Sequence, residues 1–533
     1  MTGKSRLMGQ PLNWMLSGSG SGSAKQGVRR RLRNQLALTT ILAVVPFLGY
    51  GRQAYAACVE IGTSAVWQCS DTTTGQNIFD NNADVSTLNS PPFVVTDDGL
   101  FISGNGDQRF TDTNASTITN NGYFFATGLS VVSTGDDGQT PGAVTIYTNG
   151  TITGNGHGIY AYNGGTGDIT ITANGTVTGV DVDEVDFDYM PNDGINARNF
   201  GNNLTIITGV GSAVSGEHNG IDARNYGIGD LSITTNGDVT GNEFDAIYAL
   251  NYGGALNVTV GAQSVVYSPG NGIGARNYGD GALDIKVYGH VTSTAYDGVR
   301  AYNFDGSALN VTTGAQSVVY GDDNGIDARN FSEDAALVVN ADGYVTGYNN
   351  DAIYAKNYGT DLTVTTAAGS VVRGGGNGIG AYNYGSGNLT ITADGLVGGY
   401  AEWEGGYSGG DGIHARNSED GGNLTITTGA GSDVFGGKDG IDAYNDGSGF
   451  LKITANGAVT GEQGHGIYAE NNGGYLKILT GVGSVVTGDE DGINVRQNGL
   501  GVFEITDDAP IPEMQFWRKI KLGRHDAENA RQA

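Results

Sequence analysis

The chain has 533 residues, 92 of them glycine and 9 proline, and only 16% are charged, against about 25% in an ordinary globular protein. So much glycine with so little proline excludes a collagen-like helix and a proline-rich linker, and suits many short strands joined by tight turns. The formal net charge of −29 repels phosphate backbones and excludes nucleic acid as a partner.

The first readable element is an export signal. Arg29, Arg30, Arg31 and Arg33 precede an apolar run of 13 residues, Leu36 to Leu48. That run is too short for a spanning helix. Ala54-Tyr55-Ala56 is a small-x-small cleavage signature, which makes Ala57 the expected first residue of the mature chain. Cys58 and Cys69 follow, and the sequence holds no further cysteine. A C-x₁₀-C pair without a nearby histidine is a poor zinc site, whereas an exported chain favours a disulfide between them.

The phrase G-I-x-A-x-N then recurs. Its Ile, once Val, falls at Ile159, Ile195, Ile221, Ile247, Ile273, Val299, Ile326, Ile353, Ile379, Ile413, Ile441, Ile467 and Ile493, with a dominant step of 26 residues. Each period holds three segments of apolar alternation, as in Ile221-x-Ala223-x-Asn225, Leu231-x-Ile233 and Val239-Thr-Gly241. Alternation with period two marks a strand with one buried face. Three short strands per period make one coil, and a coil hides its apolar face only by stacking on its neighbours. The expected fold is therefore all-β, a right-handed parallel β-helix of about thirteen coils. At a strand spacing of about 4.8 Å it is a rod on the order of 60 Å long. The expected divisions are an extended signal peptide (1–56), an N-terminal cap with the cysteine pair and first coils (57–140), the repeats (141–506), and a basic non-repeat tail (507–533).

Stacking turns equivalent positions into columns. Four residues after the Ile stands an inward Asn in twelve coils, Asn163 to Asn471, with Gln497 in the last. An amide column of this kind is expected to bond amide to amide and hold the turn. One residue further out, eight consecutive coils carry an aromatic: Phe200, Tyr226, Tyr252, Tyr278, Phe304, Phe331, Tyr358 and Tyr384. This stripe is the candidate binding surface, since stacked rings offer apolar area to a sugar or a protein. Beside it Arg198, Arg224, Arg276, Arg329, Lys356 and Arg416 interleave with tyrosines, which suggests cation–π packing.

Two insertions break the period, one between Val177 and Ile195 and one between Val397 and Ile413. Both interrupt the same connection, so both should leave one side of the solenoid. In the first, Asp181, Asp183, Glu184, Asp186 and Asp188 form the candidate calcium site, although a solvated acidic loop is the plainer expectation; no other cofactor is expected. The six histidines are scattered, and no nucleophile, zincin or phosphate-loop motif occurs. Asp222, Asp327 and Asp442 share an outward position, in coils too far apart to converge on a groove. No enzyme is expected.

The basic signal ending Ala54-Tyr55-Ala56, the early cysteine pair and the G-I-x-A-x-N…L-x-I-T…V-T-G coils resemble the passenger of a Gram-negative autotransporter (type V secretion), with its pertactin-like β-helix. The resemblance spans residues 29–506. It implies export and action at the cell surface or outside the cell, or in the periplasm if the protein is truncated. It also implies adhesin-like binding of a host or neighbouring cell surface, through protein or glycan. The family's membrane barrel is not readable in Asp507 to Ala533, so outer-membrane anchoring would need a barrel outside this chain. The alternatives are a polysaccharide lyase or hydrolase on the same fold, and a structural or ice-binding rod suggested by the outward pairs Thr170/Thr172, Thr363/Thr365, Thr390/Thr392 and Thr425/Thr427.

Overall fold

A computed structural model describes residues 58–507 except 63, 89–91, 123–125, 136–141, 181–191 and 401–408. Contacts divide the chain into Met1–Gln53 and Ala54–Ala533, and every described residue lies in the second unit. The signal-peptide positions Ala54, Ala56 and Ala57, the five acidic residues of the candidate calcium loop, and the basic tail from residue 508 lie outside the described residues.

The described residues contain no helix and form a parallel β-solenoid. Its three sheets hold 18, 16 and 16 strands. The Leu-x-Ile segments build the first of these, the Ile-x-Ala-x-Asn segments the second, and the Val-x-Gly segments the third. Register is kept residue on residue: Ile221 pairs with Ile247, Ala223 with Ala249 and Asn225 with Asn251. The register survives the insertions, since Ile159 pairs with Ile195 and Ile379 with Ile413. Both insertions therefore fall, in the chain, between a strand of the Val-sheet and the next strand of the Ile-sheet.

The coil count needs correction. The Ile-sheet has 16 strands, three more than the phrase marks. Gln76–Phe79, Leu100–Gly104 and Leu129–Ser133 stack in order beneath Ile159–Asn163. The second and third of these keep the inward apolar pattern but have Gly104 and Ser133 in the asparagine column, and the first has Gln76 in place of the Ile, so the phrase misses all three. At the N-terminal end Cys58 and Cys69 are register partners in an antiparallel pair and are joined by a disulfide.

The core is the column structure itself. Ile221, Ala223, Leu231, Ile233 and Val239 are all fully buried, and each repeats in the coils above and below. A larger aliphatic side chain removed from water contributes about 1.5–3 kcal/mol. Coils in which the Val stands ten rather than eight positions after the Leu place the surplus in a turn. There Gly211 and Gly431 take φ of 75° and 93°, a region glycine enters without steric cost. Ser212 and Ser432 hydroxyls close the same turns on the carbonyls of Gly209 and Gly429 at 2.7 and 2.8 Å.

The asparagine column is continuous. Asn251 Nδ2 donates to Asn277 Oδ1 at 3.0 Å, and Asn277 Nδ2 to Asn303 Oδ1 at 3.3 Å. The same bond runs from Asn163 at one end to Gln497 at the other. Each amide also holds its own turn, as Asn225 Nδ2 does by donating to the Gly229 carbonyl at 2.8 Å. A buried amide so placed leaves no polar atom unmet.

Candidate functional site

The aromatic stripe begins where the asparagine column ends the strand. Its backbone N–H donates to the preceding coil's asparagine carbonyl, as Tyr226 does to Asn199 at 2.7 Å and Tyr252 to Asn225 at 2.9 Å. Each ring is thereby set one coil above the last, and the coil spacing becomes the ring spacing. Centroids lie 4.9 Å apart for Phe200–Tyr226, 4.2 Å for Tyr278–Phe304 and 5.7 Å for Phe331–Tyr358. Interplanar angles along these stacks run from 1° to 20°. All eight rings are partly exposed, rising to 39% at Tyr384. In later coils the same column is polar: Asn472 Nδ2 donates to Asp446 Oδ1, and Asn498 Nδ2 to Asn472 Oδ1, both at 2.8 Å.

The cations beside the stripe mostly face elsewhere. Arg224 lies 5.1 Å over Tyr248, and Arg329 lies 5.2 Å and 5.0 Å over Tyr302 and Tyr354. These tyrosines stand on the outward face of the Ile-sheet, not on the stripe. Lys356 is the one that reaches stripe rings among the described residues, 5.0 Å over Tyr358 and 5.1 Å over Tyr384.

The outward aspartates also need correction. Asp222, Asp327 and Asp442 are outward by strand parity, yet only 1%, 1% and 2% exposed. A partner two residues on folds back over two of them: Arg224 Nε and Arg329 Nε donate to Asp222 and Asp327, each at 2.7 Å.

Asp442 does not stand alone either. His414 Nδ1 lies 3.2 Å from Oδ2 of Asp411 and 3.2 Å from Oδ2 of Asp442. Lys438 Nζ approaches Asp439 at 2.9 Å, Asp442 at 3.4 Å and Asp411 at 3.5 Å. Burial alone would lower the His414 pKa, but hydrogen bonds to the two carboxylates outweigh it and push it up to about 9. Burial likewise works to raise the Asp411 carboxyl, yet His414 and Lys438 hold it below the usual range. At neutral pH the imidazole is charged and the carboxylate ionised.

A further polar ladder lies two residues before the Ile. Asp193 Oδ1 accepts the Asn219 N–H at 3.0 Å, Asn219 Oδ1 the Asp245 N–H at 3.1 Å, and Asp245 Oδ1 the Asn271 N–H at 2.8 Å. Its signal was in the sequence, as Asp or Asn before nearly every Gly-Ile. The threonine array stands outward on the Leu-sheet, with Thr363 paired to Thr390 and Thr365 to Thr392. Asp284, Lys286 and Lys452 interrupt it.

No protein-family model, curated protein or solved structure matches this chain.

Proposed function

We propose that this is an exported, adhesin-like binding protein of the autotransporter-passenger kind, which acts at the cell surface or outside the cell. The aromatic stripe lies along a host or neighbouring surface, engaging its glycan or protein. One observation carries the reading. Asp446, Asn472 and Asn498 fill the stripe's column with hydrogen-bonded polar side chains, so the fold does not require aromatics there. Eight coils nevertheless keep a partly exposed ring at that place. Rings of this kind supply large contact area at low entropic cost and recur as anchors at binding surfaces.

The test is attachment of beads carrying the purified protein to fixed cells. Tyr252, Tyr278 and Tyr358 are changed together to Ser, against a control with three Thr→Ser changes on the Leu-sheet. Loss of attachment by the tyrosine variant alone, with an unchanged unfolding midpoint, supports the reading. Equal attachment by both folded variants rejects it.

A further inference from the structure

Asp411, His414 and Asp442 lie on two adjacent coils locked in register, with Ile413 paired to Ile441 and His414 to Asp442. Each offers one ligand atom, and these atoms all lie within 4.8 Å of one another. We propose that these three side chains bind a divalent transition cation of the zinc class, in competition with the Lys438 ammonium that now bridges the carboxylates.

The spacing fits such an ion. Zinc bonds of about 2.0–2.1 Å at the tetrahedral angle hold neighbouring ligand atoms about 3.3 Å apart. His414 Nδ1 stands 3.2 Å from both carboxylate oxygens. The donor set selects the class, because imidazole suits zinc, nickel or copper and not the hard ions calcium and magnesium. Two carboxylates also neutralise a dication. A second observation points to a missing ligand. Asp442 is 2% exposed, yet its Oδ1 has no hydrogen-bond partner. The cluster closes through the other oxygen of that carboxylate, Oδ2, 3.2 Å from His414 Nδ1, and a metal held by both oxygens would satisfy Oδ1.

Lys438 can yield the place. Its side chain is 48% exposed and already closest to Asp439, at 2.9 Å. It keeps that partner when it leaves the other two. Binding sends the His414 proton to solvent and exchanges one cation for another, so the buried carboxylates are never left unpaired.

The experiment is calorimetric titration of the full exported chain with zinc chloride, together with X-ray absorption at the zinc edge of the loaded protein. The expected result is one zinc per chain, with an imidazole and carboxylate oxygens as ligands, and calcium at least tenfold weaker. His414→Gln should weaken binding at least tenfold. Lys438→Met should tighten it several-fold by removing the competing ammonium. The proposal is overturned if neither the wild type nor Lys438→Met binds stoichiometric zinc. Zinc affinity unchanged in folded His414→Gln, or calcium binding as tightly as zinc, also overturns it. Should His414→Gln not fold, a wild-type absorption spectrum lacking an imidazole ligand overturns it in the same way.

Discussion

Asp222 and Arg224 point to the same side of one strand and close on each other: Arg224 Nε and Nη2 donate to the two carboxylate oxygens at 2.7 and 2.8 Å. The aspartate is left 1% exposed, while the guanidinium lies over Tyr248 of the next coil. The outward face of the Ile-sheet is thus a packed layer, and charge there is structural.

This layer separates two arginines of the same column. Arg224→Ala strands a buried carboxylate, and breaking a buried pair costs about 3–5 kcal/mol in full. Arg198, 3.7 Å from Asp222, takes over part of the charge, so a loss of about 2 kcal/mol is expected. Arg276 makes no ion pair among the described residues and rests 5.8 Å over Tyr248; Arg276→Ala should cost under about 1 kcal/mol. Ile273, fully buried in the same strand as Arg276, should be far less tolerant, with Ile273→Asp costing more than about 4 kcal/mol. Urea unfolding midpoints rank the three. Equal midpoints for Ile273→Asp and Arg276→Ala contradict the inward and outward assignment.

The amide column predicts a polarity effect. Asn277 Nδ2 donates to Gly281 O and Asn303 Oδ1, and its Oδ1 accepts from Asn251. Asn277→Asp removes the donor and turns an acceptor-only group towards two acceptors. Each unmet buried group costs about 1–3 kcal/mol, so the loss should be several times that of Asn257→Asp on the outward face. Thermal unfolding of the two variants at pH 7 makes the comparison; a smaller loss at Asn277 would remove the column from the account.

Asp351 carries the pH dependence. Burial pushes its pKa from 3.8 up to about 6, against hydrogen bonds from Asn377 that work to lower it. Between those values the folded chain holds a proton that the unfolded chain has released, so stability falls as pH rises through this window. The deficit is complete above about 6 and absent well below 3.8. Asp351→Asn keeps the acceptor that meets the Asn377 N–H at 2.7 Å, and asparagine already fills this column at Asn324 and Asn377. The variant should be stabilised by about 1–3 kcal/mol at pH 7 and by almost nothing near pH 3. Destabilisation at pH 7 would mean that the charge itself is needed.

The coils were legible because strand parity and a 26-residue step leave little freedom: once Ile221 faces in, Ala223 and Asn225 must follow. The disulfide was legible from Cys58 and Cys69 standing alone behind a sequence that reads as an export signal. Parity did not reveal that Asp222 is buried, because a neighbour on the outward face covers it, and that depends on side-chain length rather than on pattern. The meeting of Asp442 with Asp411 and His414 escaped notice for another reason. Asp411 and His414 stand three residues apart, but Asp442 joins them only when adjacent coils are laid over each other column by column. The first coils, expected within 57–140, were left out of the count because the residue that flags a coil is replaced there, by Gly104 and Ser133 in two of them.

The central claim is that the stripe meets the bound surface, and tyrosine iodination tests it most directly. Protein free in solution and protein attached to fixed cells are labelled, and each tyrosine is quantified by mass spectrometry. Tyr267 and Tyr344 on the Val-sheet are 43% and 52% exposed and serve as internal references. The account predicts that Tyr226, Tyr252, Tyr278, Tyr358 and Tyr384 lose most of their labelling on attachment while Tyr267 and Tyr344 keep theirs. Stripe tyrosines labelled equally in both states, or protection confined to the Val-sheet, would contradict it.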